Sequence, residues 1–406
     1  MKSLRQRLAQ FDRPAAPRPS MAADRAGDPL GALLDAGARW EGSAPTGHLR
    51  LEAELPPREA PGIGVGREAC QRLCGEAPDG DHWVVLDTET TGLESGTGTM
   101  VFLIGLVHWT PERTWRVQLL MPEPAAEAAL LEAMAAELEG ADLLISYNGR
   151  SFDVPRLRTR MRLQRQDPVV LERPHLDLVH PARRLLSGWL SERRQVDLES
   201  ALLGLPRHGD LPGSFAPEVY RNLLADGTDT GLAGVVEHNA RDVDRLVDLA
   251  LWFARCVDDY PEPRLPEAVH LATARLLVRR DRWPQAEARL RWLVDADDPC
   301  VATAARRLLA DGLRRQRRFA EAVREWERII VAAPHDVEAH VECAKLFEHR
   351  LRDLDRAHEV VRRALRAASD RKQLDPTSPS VHAELVHRLR RLERRRQRGR
   401  HDAGLL

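Results

Sequence analysis

The chain has 406 residues, room for two or three domains, with a formal net charge of −1 and 43% hydrophobic residues. That balance excludes a uniformly basic nucleic-acid binder, so any contact with a polyanion has to come from local basic patches. No run of eighteen apolar residues is present, so no membrane span is expected.

Residues 1–45 are rich in Ala, Pro and Arg without sustained periodicity and read as disordered, apart from a turn or two of helix near Leu4–Phe11. The first residues lack the apolar core of a secretion signal. Residues 46–80 form a lead-in segment with scattered alternation at His48–Ala53. Cys70 and Cys74 offer half of a zinc site, but no second pair supplies the other ligands, so they read as packed thiols. The five scattered cysteines fit an intracellular, reducing setting, and a cytoplasmic location is expected.

From Trp83 the pattern becomes α/β. The runs Trp83–Leu86, Met100–Trp109 and Thr114–Met121 read as an antiparallel meander joined by short turns. A helical stripe over Glu123–Gly140, a strand at Asp142–Tyr147, a helix through Phe152, Leu157 and Met161, and a strand at Leu176–Val179 follow. A long helix over Leu232–Phe253 closes the domain, placed at 81–258. This order suits a mixed sheet flanked by helices.

Four carboxylates stand out. Asp87 and Glu89 end the first strand two residues apart, hence on one face, and two acids aimed at one point suggest a divalent cation between them. Asp153 opens a helix just past the fourth strand, where a helix N-cap is the plain alternative. Asp242 lies four residues after His238, so both project from one side of a helix. A solvated acid among Arg241 and Arg245 is the plain alternative there. Their combination favours a shared site over four separate explanations.

The set D-x-E after a strand, then Asn148, Phe152 and Asp153, then His238 and Asp242 on a last helix, resembles the DEDD superfamily of 3′–5′ exonucleases. Within it, the YprB-like branch of ribonuclease H-like proteins matches further segments: Leu176-Asp177-Leu178, Gly204-Leu205, Asp210-Leu211-Pro212-Gly213, Pro217-Glu218-Val219-Tyr220 and Glu237 to Val243. The resemblance implies an α/β ribonuclease H-like fold and a metal-dependent 3′–5′ exonuclease. It implies two Mg2+ or Mn2+ ions, with Asp87, Glu89 and Asp242 on one, Asp87 bridging, and Asp153 acting on the second through water. His238 would orient or deprotonate the attacking water. Thr91, Leu93, Asn148 and Phe152 would line the terminal nucleotide, although a core position is the favoured reading for Phe152. One departure matters: most members carry Tyr-x3-Asp or His-x4-Asp, whereas this chain has His238 at the x3 spacing. Single-stranded 3′ ends of DNA or RNA are the implied substrate. An inactive scaffold of the same fold is the rival reading, and a ribonuclease H cutting RNA–DNA hybrids internally is a third.

Beyond a Pro-rich break at Tyr260–Pro266, residues 265–370 repeat. Trp283 and Phe319 lie 36 residues apart, while Ala286, Ala322 and Ala357 are spaced by 36 and 35. Ala322-x3-Trp326 closed by Pro334 resembles the second helix of a tetratricopeptide repeat, so an all-α helical-repeat domain able to take a protein partner is expected. A plain helical bundle is the alternative. Residues 371–406 form a helix and tail in which Val386 to His401 carries eight arginines: Arg388, Arg390, Arg391, Arg394, Arg395, Arg396, Arg398 and Arg400. They are either a solvated face or a set of phosphate contacts.

Overall fold

The computed structural model describes residues 29–57, 66–92, 97–207, 209–226, 231–258, 265–372 and 379–403. The chain forms two compact units, Met1–Glu262 and Pro263–Leu406. The expected helix near Leu4–Phe11 and most of the Pro-rich break lie outside the described residues.

The first unit is built on a seven-stranded sheet in the order β1-β2-β5-β4-β3-β6-β7. Its strands are β1 (Arg39–Glu41), β2 (His48–Glu54), β3 (Trp83–Thr90), β4 (Val101–Trp109), β5 (Thr114–Leu120), β6 (Leu143–Ser146) and β7 (His175–Asp177). Strands β1 to β5 pair antiparallel, and β6 joins β3, and β7 joins β6, in parallel. Strand β4 reads VFLIGLVHW and is buried at every position, as a central strand covered on both faces must be.

Two helices supply those covers. Glu137 of α3 (Glu127–Leu138) meets His108 at 2.9 Å, while Asn239 of α8 (Leu232–Cys256) lies over Gly105. His108 and Gly105 are an odd number of positions apart in β4, so α3 and α8 lie on opposite faces. The remaining helices of this unit are α1 (Pro29–Asp35), α2 (Arg67–Leu73), α4 (Asp153–Leu163), α5 (Val179–Leu185), α6 (Gln195–Leu203) and α7 (Ala216–Asp226).

Three expectations are corrected. Residues 29–45 are not disordered: α1 and β1 lie here, and Leu33 and Ala38 are buried in the main core. The lead-in segment belongs to the same body, because β2 pairs with β5 along six residue pairs and Arg72 of α2 donates to the Val257 carbonyl at 2.7 Å. The strand expected at Leu176–Val179 ends at Asp177, and Val179 starts α5. Cys70 and Cys74 are free thiols, Cys70 fully buried, as packed cysteines should be.

The second unit is helical throughout its described length: α9 (Glu267–Arg279), α10 (Trp283–Leu293), α11 (Pro299–Arg315), α12 (Phe319–Ala332), α13 (Val337–Leu346), a π-helical turn at Phe347–Leu351, α14 (Leu354–Lys372) and α15 (Pro379–Ala403). The repeat seen in the sequence is structural. Ala286, Ala322 and Ala357 are all fully buried at the same place in α10, α12 and α14. A second signature has the same period: Asp281, Arg317 and Arg352 take left-handed backbone conformations at φ 60, 60 and 58° in the turn before each of those helices. Close packing holds successive repeats together; a Cβ on Gly312 would sit 1.8 Å from the Trp283 ring. Among the described residues no helix is long and apolar enough to cross a membrane.

The Arg-rich last helix has a defined internal partner. Arg388, Arg391 and Arg395 reach Glu348 at 3.1, 2.7 and 3.0 Å, and its carboxylate is almost fully buried. Arg396 pairs with Asp355 at 2.5 Å. For these four arginines the reading as free phosphate contacts is corrected: they hold α15 onto the repeat.

Candidate active site

Strand β3 continues through both of its acids, so Asp87 and Glu89 project from the face covered by α8. A register shift follows at Glu89/Thr90 and turns the chain away. Asp242 comes from α8 itself. Asp153 is the first residue of α4 and does not cap it, because Phe152 occupies the cap position. The N-cap alternative is thereby removed; Asp153 instead accepts a 2.5 Å hydrogen bond from Thr88 Oγ1 and is buried.

The four acids share one electrostatic environment. Burial pushes the Asp87 carboxyl well above the usual range, and the charges of Asp242, Asp153 and Glu89 push it further. Glu89 rises to about 8 through burial and then through Asp242, Asp153 and Asp210. Burial likewise raises Asp153 and Asp242, opposed at Asp153 by Thr88 and at Asp242 by His238 and Arg207. Groups in such an arrangement hold protons until a cation replaces them.

Around this centre lies a polar frame. Asn239, fully buried, donates Nδ2–H to Asp87 Oδ2 at 3.0 Å, and its Oδ1 accepts from Gln118 Nε2 at 2.9 Å. Gly105 makes room for that amide, since a Cβ there would be 2.3 Å from Asn239 Oδ1. His238 has Nδ1 2.9 Å from Asp210 Oδ2 and Nε2 3.3 Å from Asp242 Oδ2. A Cβ on Gly213 would stand 3.2 Å from that Nε2 and 3.9 Å from Glu89 Oε1, so glycine keeps the space between the two open. Burial alone would raise Asp210, but His238 and Arg207 hold its carboxyl below the usual range.

The residues expected at the terminal nucleotide fall around the rim. Asn148 has a left-handed backbone at φ 66°. Its N–H donates to Asp177 Oδ1 at 2.6 Å, and Arg150 N–H donates to Asp177 Oδ2 at 3.1 Å, which fixes the turn between β6 and α4. Phe152 is 46% exposed with the Arg156 guanidinium 5.6 Å from its ring centre, so the core reading is corrected. The Thr91 hydroxyl accepts from Met100 N–H at 3.0 Å and shapes the strand end. Leu93 lies outside the described residues.

Over 291 residues the chain is 32% identical to an uncharacterized protein, YprB of Bacillus subtilis strain 168, across 70% of this chain and 69% of that one. The chain belongs to the YprB family. Residues 84–254 match the RNase_H superfamily, and residues 271–333 and 307–372 match the tetratricopeptide repeat. The first unit of this YprB-family protein is thus a ribonuclease H-like, nuclease-type domain, and the second carries tetratricopeptide repeats, not a plain bundle. Among solved structures, the family B DNA polymerase of the archaeon Pyrobaculum calidifontis superposes with a TM-score of 0.38 at 12% identity, over 60% of this chain and 30% of the polymerase chain.

Several frame residues carry no local sequence signal for their role. Asp210 and Asn239 stand inside YprB-like segments, yet nothing local told that they would meet His238 and Asp87. Arg207 carried no motif at all. Its position three residues before Asp210 was the available signal, and in the fold its guanidinium bonds Glu199, Asp210 and Asp242 together.

The donor set suits a hard divalent cation: carboxylate oxygens, no thiolate, and acids whose proton affinity is already raised. Among the described residues no three such groups are yet gathered at ligand spacing. The acids repel one another, and Asp242 is paired to Arg207.

Proposed function

We propose that this protein is a metal-dependent 3′–5′ exonuclease of the DEDD type, acting on single-stranded ends of nucleic acid. The observation that carries the reading is the convergence of Asp87, Glu89, Asp153 and Asp242, with Glu89 raised to about 8 by burial and by its acidic neighbours. Asp87, Glu89 and Asp242 would hold one Mg2+ or Mn2+, and Asp87 with Asp153 the second. When bound, two such ions stabilise the attacking and leaving oxygens of a phosphodiester displacement.

The chain's own residues supply the rest. Asp210, at the shorter of the two ring contacts, accepts from His238 Nδ1–H and so leaves the lone pair on Nε2. That nitrogen faces the opening kept by Gly213 and takes a proton from the attacking water. Asn239 holds Asp87 in its ionised orientation. Asn148 and Phe152 meet the terminal nucleotide, the exposed Phe152 ring offering a face on which a base stacks. The tetratricopeptide repeats receive a protein partner.

Incubation of the full chain with end-labelled single-stranded DNA and RNA, with Mn2+ or with EDTA, tests the reading. Stepwise loss from the 3′ end with Mn2+ alone is expected. The hold of Arg207 on Asp242 favours the rival reading, an inactive scaffold. Wild-type protein that trims nothing while still retaining the oligonucleotide would decide for the scaffold.

A further inference from the structure

Arg207 reaches into the acidic centre, and its three contacts are unequal. Its Nε and Nη2 grip both oxygens of Glu199 at 2.8 and 2.5 Å, a bidentate pairing with a carboxylate that is 1% exposed. Nη1 reaches Asp210 at 2.9 Å. The contact to Asp242 Oδ1 is an additional use of Nη2, which Glu199 already holds. Asp242 also has Gln195 Nε2 near it, 3.0 Å from its carbonyl and 3.4 Å from Oδ1.

A guanidinium anchored in this way can release Asp242 without losing its own neutralisation. Glu199 retains the fork, and Asp210 retains Nη1. The anchor comes from the middle of α6 and the anchored arginine from the loop beyond that helix. Asp210 has Arg241 as a further partner at 3.1 Å, so within this frame Asp242 is the carboxylate whose guanidinium contact can be given up. Arg207 supplies the positive charge beside Asp242 in the metal-free protein.

We propose that Arg207 is a positioning residue that acts as the resident counter-cation of the site: it neutralises Asp242 in the metal-free protein and yields Asp242 to an incoming divalent cation by withdrawing onto Glu199 and Asp210. This rests on the reading of the four acids as metal ligands. It adds that metal affinity is set by competition with Arg207, and that Glu199, which touches no metal, tunes that competition from behind. Two substitutions of the same network therefore act in opposite directions. Arg207→Gln removes the competitor and tightens divalent binding. Glu199→Gln removes the anchor's charge, shifts the guanidinium toward Asp242 and weakens binding.

The test is titration of the full chain with MnCl2, followed by calorimetry and by thermal unfolding, without nucleic acid. For Arg207→Gln we expect Mn2+ binding about tenfold tighter, the scale of one partly buried charge-assisted contact, together with a lower Tm in EDTA and a larger rise on adding Mn2+. For Glu199→Gln we expect binding weaker by a similar factor. If Arg207→Gln does not fold, Arg207→Lys, which loses the fork, should tighten binding to a smaller degree. Unchanged or weaker Mn2+ binding by the arginine variant that folds would overturn the proposal and leave Arg207 a scaffold of the loop. Wild-type protein that binds no Mn2+, with Asp87→Asn indistinguishable from it, would instead overturn the metal-ligand reading on which the proposal rests.

Discussion

Asn239 Nδ2 lies 3.0 Å from Asp87 Oδ2, across 152 residues of sequence, and Gly105 is the residue that lets the amide approach the strand. The bond favours the ionised form of a carboxyl that burial and three acids drive toward protonation. Asn239→Ala should therefore lower Mn2+ affinity and trimming by about tenfold, the worth of one buried hydrogen bond to a charge, with the fold retained. Gly105→Ala should lose more, because its Cβ would fall 2.3 Å from Asn239 Oδ1 in a closed interface. Mn2+ titration of both variants checks the order.

The raised acids make the metal-free protein a poor keeper of charge at neutral pH. Glu89 titrates near 4.3 in an unfolded chain and at about 8 in the fold, so between those values the folded state holds the extra proton. Its contribution to stability is present at low pH and is lost as pH rises through about 8. His175 acts in the other sense: burial lowers it to about 4, so stability falls as pH drops below about 6.5. The acids are thus read cleanly between about pH 6.5 and 8, where Tm in EDTA should fall. Saturating Mn2+ should abolish or invert the slope. Asp87→Ala should raise Tm in EDTA, most at the upper end of that window, while abolishing trimming. A Tm in EDTA that climbs across the window would show that the acids are not crowded.

Much of this site was legible because its acids sit in local patterns: two residues apart at a strand end, at the first position of a helix, and one helical turn from His238. The frame around them was not. Asn239 touches Asp87, and Arg207 touches Asp242, only once β3, α6 and α8 are packed together, and no local periodicity encodes that. The sheet edge was hidden for a related reason. Strands β1 and β2 lie in or beside a stretch rich in Ala, Pro and Gly; β1 has only three residues and pairs with β2, which itself pairs with β5 more than sixty residues later. Phe152 was misread as core because it follows apolar and turn residues with no sign of which face it takes. In the second unit the alanine period was visible, whereas the left-handed turn residues Asp281, Arg317 and Arg352 were not, being chemically ordinary side chains in an unusual backbone state.

The His238 series separates proton transfer from packing. If Nε2 takes the proton of the attacking water, His238→Ala should lose about 10²–10³-fold in rate with Mn2+ affinity little changed. His238→Tyr places the commoner residue of the resembling superfamily at this spacing and should recover part of the loss. Single-turnover trimming at saturating Mn2+ measures both. Near wild-type turnover by His238→Ala would reduce the ring to a partner of Asp210.

The last helix offers a test independent of the acidic site. Glu348 collects Arg388, Arg391 and Arg395, and although burial would raise it, Arg391, His349 and Arg388 hold its carboxyl below the usual range. Its charge therefore stabilises the fold above about pH 4, and that contribution is lost as pH falls further. Glu348→Gln removes the charge and leaves three guanidinium groups facing one another. Arg391 and Arg395 are partly exposed, so solvent screens part of the repulsion and the expected cost is about 1–3 kcal/mol. Thermal unfolding of the full chain should show a lower transition for the helical unit, while Mn2+ titration of the acidic site stays unchanged. Since Arg388 is the most enclosed of the three, Arg388→Ala should reproduce most of the loss and Arg395→Ala little of it. Equal and negligible effects for all three substitutions would mean that α15 is held by its apolar contacts at Leu385 and Leu392 alone.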